Sequence, residues 1–322
     1  MNLKKIMLIL ILVVIIIGFV FLFLFNENTK QGKENDKLNV IVTTFSTYDF
    51  VKQVSGDKVN LKLLLEPGVD AHSYEPTASN LINIQESDLF IYIGGKMESW
   101  ADKVLSSLDT KDTKVICMAD YVDTTDEMKI DGAEHEHEHE DEQEHEHGYD
   151  EHIWTSPRNA IKMVEKISNV LSELDIENND LYNKNSNEYI LKIKDVQSKI
   201  QEIVDNKVRD RIVFGDKMPM QYFINEFGLK VSAAFSGCST ETEPSSSTIA
   251  YLVNVIKKEN IPVVLYVELN NGKVAQTIAN ETGAKAMQIQ SFHNISKDDF
   301  LNGETYISLM NRNLNVIKAA LQ

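Results

Sequence analysis

From Leu181 to Val208 the chain has neither glycine nor proline, and Tyr182, Tyr189, Ile193, Val196, Ile200, Ile203 and Val204 line one stripe of a 3.6-residue repeat. Lys, Glu, Gln and Asn fill most other positions. The pattern predicts a single helix about 40 Å long, at 1.5 Å per residue. That is the span of a whole domain, and it divides the chain into a part before and a part after.

Both parts alternate β-branched runs with amphipathic segments. Before the helix, Leu38–Thr43, Val59–Leu65, Leu89–Ile93 and Lys114–Met118 read as strands. Helices are expected at Thr47–Val54, through Leu81, Ile82 and Ile84, and around Trp100, Val104 and Leu108. After it, Arg211–Phe214, Lys230–Phe235, Val263–Val267 and Ala284–Ile289 read as strands. Tyr222–Phe227, Ser247–Lys258, Lys273–Glu281 and Thr305–Leu321 read as helices. Such alternation favours parallel sheets covered by helices on both faces. The expected fold is therefore α/β, with two parallel-sheet lobes, residues 38–178 and 209–322, joined by a rigid connecting helix at 179–208.

Ligands of open parallel sheets bind beyond the carboxyl ends of the strands. His72 follows the second strand, His152 follows the fourth strand and its long loop, and His293 follows the last strand. The other five histidines lie in Glu134–His147, where they are interleaved with acids. Imidazole nitrogen suits zinc, and three histidines completed by a carboxylate or water form a natural tetrahedral set. His152 is pinned just before a helix start, because Ser156 is a good N-cap and Pro157 a good first helical residue. Ile161, Val164, Ile167, Val170, Leu171 and Leu174 then recur at helical spacing. The Glu134–His147 tract can hold metal weakly, with no fixed geometry.

The formal charge of −17 is uneven, since Asp131–Glu151 holds 11 acids and no Lys or Arg, which leaves −6 for the remainder. An acidic surface repels a phosphate backbone, so nucleic acid is not expected as a partner, and it concentrates cations. Cys117 and Cys238 form no CxxC, which argues against a thiolate zinc site; a single bridge between them stays open. HExxH, GxSxG and GxxxxGK[ST] are all absent.

Lys4 and Lys5 precede an apolar run, Ile6–Phe25, broken only by Gly18. A helix of that length, about 30 Å, crosses a bilayer. No small-residue cleavage pattern follows it, and no cysteine for lipid attachment. The expectation for residues 1–37 is an uncleaved transmembrane anchor with Lys4 and Lys5 inside, a polar tether at Asn26–Lys37 and the bulk of the chain outside; a long, cleaved signal peptide is the alternative.

Three segments together resemble the zinc/manganese solute-binding proteins of ABC transporters. They are Pro67-Gly68-Val69-Asp70-Ala71-His72-Ser73-Tyr74-Glu75-Pro76, the acidic His-rich loop, and Asp150-Glu151-His152-Ile153-Trp154-Thr155-Ser156-Pro157. Tyr222-Phe223, Phe227-Gly228-Leu229 and Thr242-Glu243-Pro244-Ser245 extend the likeness into the second part, so it covers about Leu38 to the end. The resemblance implies two α/β lobes with metal between them, no catalysis, and delivery of metal to a membrane permease powered by an ATPase. It implies a monomer, and the His-rich loop favours zinc over manganese. His72 and His152 match the first two family ligands, and His293 falls where the last, usually a carboxylate, stands. The third slot, normally His or Glu, holds Lys217. Asp216 beside it is the first candidate for a fourth donor, with Glu241 and Cys238 second. The rival readings are a zinc-dependent hydrolase, which needs an open coordination position for an activated water, and a surface adhesin or metal buffer without a transporter.

Overall fold

The computed structural model describes residues 37–130, 148–237 and 243–322, except the side chain of His72. The Ile6–Phe25 run, the Glu134–His147 tract, Cys238 and Glu241 lie outside the described residues. Among the described residues, no helix is long and apolar enough to cross a membrane. Leu38–Gln322 forms one compact unit.

The first lobe runs β1 (Leu38–Val42), α1 (Phe45–Ser55), β2 (Val59–Leu63), α2 (Ala78–Gln85), β3 (Leu89–Tyr92), α3 (Ser99–Ser107) and β4 (Lys114–Cys117). It is followed by α4 (Pro157–Leu174) and the connecting helix α5 (Asn179–Asp205, 27 residues). The second lobe runs β5 (Arg211–Met218), α6 (Gln221–Glu226), β6 (Lys230–Ser236), α7 (Ser246–Glu259), β7 (Val263–Val267), α8 (Lys273–Thr282), β8 (Lys285–Ile289), α9 (Lys297–Leu301) and α10 (Tyr306–Leu321). The sheet orders are β2-β1-β3-β4 and β6-β5-β7-β8, every pairing parallel. Each sheet thus reverses direction beside its first strand, and such a switch point opens a crevice at the carboxyl ends.

The helices begin where their caps dictate. The Ser156 side chain accepts from the Asn159 amide at 3.2 Å, and Pro157, which has no amide hydrogen to lose, takes the first position of α4. Thr305 and Ser308 make a reciprocal capping box at the start of α10. Two boundaries differ from the sequence reading. The short helix α9 was not foreseen, because five residues carry too little periodicity. Strand β5 runs on past Phe214 to Met218 through a register shift between Phe214 and Lys217. Asp216 therefore lies within the strand and not on a loop after it. Gly215-Asp216-Lys217 looks like a turn in sequence, but a bulged strand absorbs it. Cys117 is a free thiol whose Sγ donates to the Ile93 carbonyl at 3.3 Å.

The connecting helix is embedded. Its buried face is Tyr182, Ser186, Tyr189, Ile190, Ile193, Val196, Ile200 and Val204, and it packs against α1 and α4 from the first lobe and α10 from the second. The main core cluster accordingly runs from Val40 to Leu321 through both lobes. Asp49 of α1 fastens this junction. Its Oδ2 accepts from the Tyr189 hydroxyl (2.5 Å) and the Tyr306 amide (3.0 Å), and its Oδ1 from Gln53 Nε2 (3.1 Å). Burial pushes the carboxyl above its ordinary range, and these donors hold it back in part. Asp49→Ala leaves the Tyr189 hydroxyl and the Tyr306 amide buried without an acceptor. It should cost about 2–4 kcal/mol of unfolding free energy, measured by urea denaturation, with little change in the slope.

Candidate metal centre

His152 and His293 come from opposite lobes and meet, with ring centroids 5.1 Å apart and planes nearly perpendicular at 89°. Trp154 lies against both, at 5.5 and 5.3 Å, and is itself fully buried. His152 is held rigidly. Asp150 Oδ1 takes both its backbone amide (2.8 Å) and its Nδ1 (3.0 Å). A carboxylate can only accept, so Nδ1 carries the proton and Nε2 carries the ring's lone pair. Burial opposes charge on this ring, but the carboxylates of Asp150, Glu151 and Glu127 outweigh it and leave the imidazole above its ordinary range. A proton therefore competes with any metal here.

His293 is turned inward by Phe292, whose φ of 60° is uncommon for a non-glycine residue. The Phe292 ring is fully buried and packs on Tyr306 at 4.7 Å, which holds the conformation in place. The Nε2 of His293 meets the Sδ of Met97. Met97 sits on a short turn of the first lobe, Lys96–Glu98, preceded by Gly94 and Gly95 at φ of 92° and 83°. At Gly94 a Cβ would stand 2.5 Å from the Tyr149 hydroxyl and 2.7 Å from Cys117 Sγ, so glycine is required by space as well as by conformation.

A cleft of about 230 Å³ opens beside the pair, lined by Gly68–Ala71, Asp216, Lys217, Glu268 and His293 among others. His72 rides on the turn Ala71–Ser73 that ends this wall. Asp216 and Lys217 both face the cleft, Asp216 buried and Lys217 half-buried. Burial raises the Asp216 carboxyl, offset in part by the amides of Lys217 and Val267 and by the Lys217 charge. Among the described residues no three His, Cys, Asp or Glu side chains group as ligands. The structure thus brings two of the expected residues together and places Asp216 on the adjoining wall.

Glu268 was missed by sequence reasoning. It follows β7 directly, and its oxygens accept from the Ser291 amide (2.6 Å) and hydroxyl (2.7 Å), two residues before His293. The rule that selected the histidines, placement at a strand's carboxyl end, selects it too. Cross-lobe hydrogen bonds close the site. Trp154 Nε1 donates to the Ser291 carbonyl (2.8 Å), the Tyr222 hydroxyl to the Asp150 carbonyl (2.6 Å), and Asn294 Nδ2 to the carbonyls of Glu66 (2.9 Å) and Val69 (2.6 Å).

A family model, ZnuA, described as zinc-uptake complex component A periplasmic, matches residues 40–320. The high-affinity zinc uptake system protein ZnuA of Bacillus subtilis is 35% identical over 298 residues, covering 92% of each chain. The zinc-binding lipoprotein AdcA of Streptococcus pneumoniae is 33% identical over 90% of this chain, which spans 57% of that longer protein. The solved structure of the Zn(II)-bound ZnuA-like domain of Streptococcus pneumoniae AdcA is similar with a TM-score of 0.71 and 32% identity. That match covers 88% of this chain and 99% of the domain.

Two outcomes follow from this geometry. Asp150→Ala frees the His152 ring to rotate and to change tautomer, and should weaken zinc binding about 10–100-fold, measured by competition with a chromophoric chelator. Glu98, behind the Met97 turn, accepts from the amides of Ile93 (2.6 Å) and Gly94 (2.9 Å), yet burial pushes its carboxyl up to about 7. An acid raised on folding stabilises fully below its unfolded value, near 4.5, and loses that contribution as pH rises toward 7. Relative to Glu98→Gln, the wild-type protein should lose roughly 3 kcal/mol across that window, read from denaturation curves at stepped pH.

Proposed function

This chain belongs to the family of the zinc-uptake complex component A, and from that premise we propose that it captures zinc outside the cytoplasm and hands it to an ABC-type importer. It is a solute-binding protein and not an enzyme; zinc is its cargo. The observation that carries this reading is the meeting of His152 and His293 from opposite lobes beside a cleft. Metal held there draws donors from both halves of the molecule, so release requires those donors to separate. Imidazole donors also favour zinc over manganese, which prefers oxygen.

The proposed ligand set is His72, His152 and His293, with Asp216 as the fourth donor. His72 stands on the turn that follows the Gly68–Ala71 wall of the cleft. Asp216 is preferred to Lys217 because a carboxylate is an ordinary zinc ligand and an ammonium is not. The carboxylate takes a long hydrogen bond from the Val267 amide, at 3.4 Å, and one from the Lys217 amide, and its remaining lone pairs have capacity for a cation. The Glu134–His147 tract acts as a weaker, separate store. Its neck is tied by the antiparallel bridge between Asp126 and Tyr149, close to His152 in the chain. The Ile6–Phe25 run serves as the anchor to the membrane holding the permease and its ATPase.

Deleting Glu134–His147 should leave one tight zinc site and remove weaker ones, counted by titration and metal analysis; loss of the tight site would overturn the assignment. Asp216→Ala should weaken zinc at least about tenfold, or 1.4 kcal/mol. An unchanged affinity would give the fourth position to water or another residue. Mass spectrometry of the membrane-bound protein should find peptides from upstream of Asn26; a mature form starting near Asn28 would refute the anchor.

A further inference from the structure

We propose that Lys217 sets the affinity of this centre from outside the ligand set: its ammonium opposes the zinc and hastens its release. The inference rests on reading the cleft as the zinc site. Its own evidence is the way strand β5 presents two neighbouring side chains. In a regular strand, successive side chains point to opposite faces. Asp216 and Lys217 nevertheless both line the cleft. The register shift between Phe214 and Lys217 accounts for this, because a bulge re-aims a side chain, and bulges collect beside functional sites.

The irregular stretch is fixed on both sides. A Cβ at Gly215 would stand 2.6 Å from the Ala275 Cα, so glycine is what lets α8 approach β5 this closely. Beyond it, Lys217 pairs with Phe235 and Met218 with Ser236 in β6. Lys217 is therefore carried on a paired strand and not on a loose loop. Its side chain is half-buried in the wall.

The charge reaches the proposed fourth donor. Burial raises the Asp216 carboxyl, and the Lys217 charge is among the groups that offset it. Asp70 and Glu268 are the other acids that line the cleft, and Lys217 is the only lysine or arginine among its described lining residues. Among the described residues its ammonium forms no ion pair, whereas Lys230 on the adjacent strand pairs with Asp210 at 2.9 Å. Lys217 thus acts as a resident counter-ion to the acids of the cleft. A divalent cation that enters among those acids meets a like charge, and the repulsion is stronger in a partly buried site than in water. A protonated amine has no lone pair, so coordination does not offset the repulsion. Lys217 therefore limits affinity, which suits a protein that must give up its cargo.

The test uses the full chain and zinc alone, in competition with a chromophoric chelator. Lys217→Leu removes the charge without supplying a donor. Lys217→Gln is a second neutral variant should leucine disturb the strand, and Lys217→Arg keeps the charge. Both neutral variants should bind zinc at least about tenfold tighter, or 1.4 kcal/mol, and transfer it to excess chelator more slowly. Lys217→Arg should stay near the wild-type value. The gap between wild type and Lys217→Leu should narrow with added salt, since the Debye length falls from about 10 Å at 0.1 M to about 3 Å at 1 M. The visible bands of the cobalt(II)-loaded chain should be the same in wild type and Lys217→Leu, because Lys217 is not a ligand. Neutral variants that bind no tighter, an arginine variant that tightens as much as they do, or cobalt bands altered by Lys217→Leu would overturn the proposal. A wild-type chain that binds no zinc overturns the proposed function and this inference with it; zinc binding that Lys217→Leu leaves unchanged overturns this inference alone.

Discussion

Trp154 is buried completely between the lobes, and both of its strongest hydrogen-bonding groups are engaged there. Its indole nitrogen donates to the Ser291 carbonyl, and its own carbonyl accepts from the Tyr306 hydroxyl at 2.9 Å. Its ring lies against His152 and His293. Removing it would open a large cavity in the shared core and leave the Ser291 carbonyl without its indole donor. The histidine pair is held in its present geometry in part because this buried side chain packs against both rings.

That junction changes how the molecule can move. A bare strut between two independent lobes would permit wide opening. Here the connecting helix is buried along one face by helices from both lobes, and Asp49, Tyr189 and Tyr306 bind its middle to the first and last helices. Parting the lobes at the cleft must therefore proceed without disrupting this seam. Small motions of the Gly94–Glu98 turn and of the loop carrying His293 are the cheaper route, because both lie at the cleft edge.

Electrostatics at the centre follow the same economy. Asp150, Glu98 and Glu268 are all buried, and each accepts backbone or side-chain hydrogen bonds that set one loop. Carboxylates so placed fix geometry first. Acidic groups beside the histidine pair also favour a cation between the lobes.

The sequence by itself determined the alternation of elements, the capped start at Ser156-Pro157, the connecting helix and the candidacy of His72, His152 and His293. Each of these is a local matter of periodicity, capping or placement after a strand. Only the tertiary structure decided which residues meet. His152 and His293 are far apart in the chain, and no local rule pairs them; the cross-lobe contacts do. Strand β5 runs through Gly215-Asp216-Lys217 because its neighbours pair with it, against the turn-like composition of those residues. Glu268 was within reach of the strand-end rule, whereas nothing local set Met97 apart. A methionine on a turn is ordinary in sequence, and only the packing of the two lobes brings it against His293.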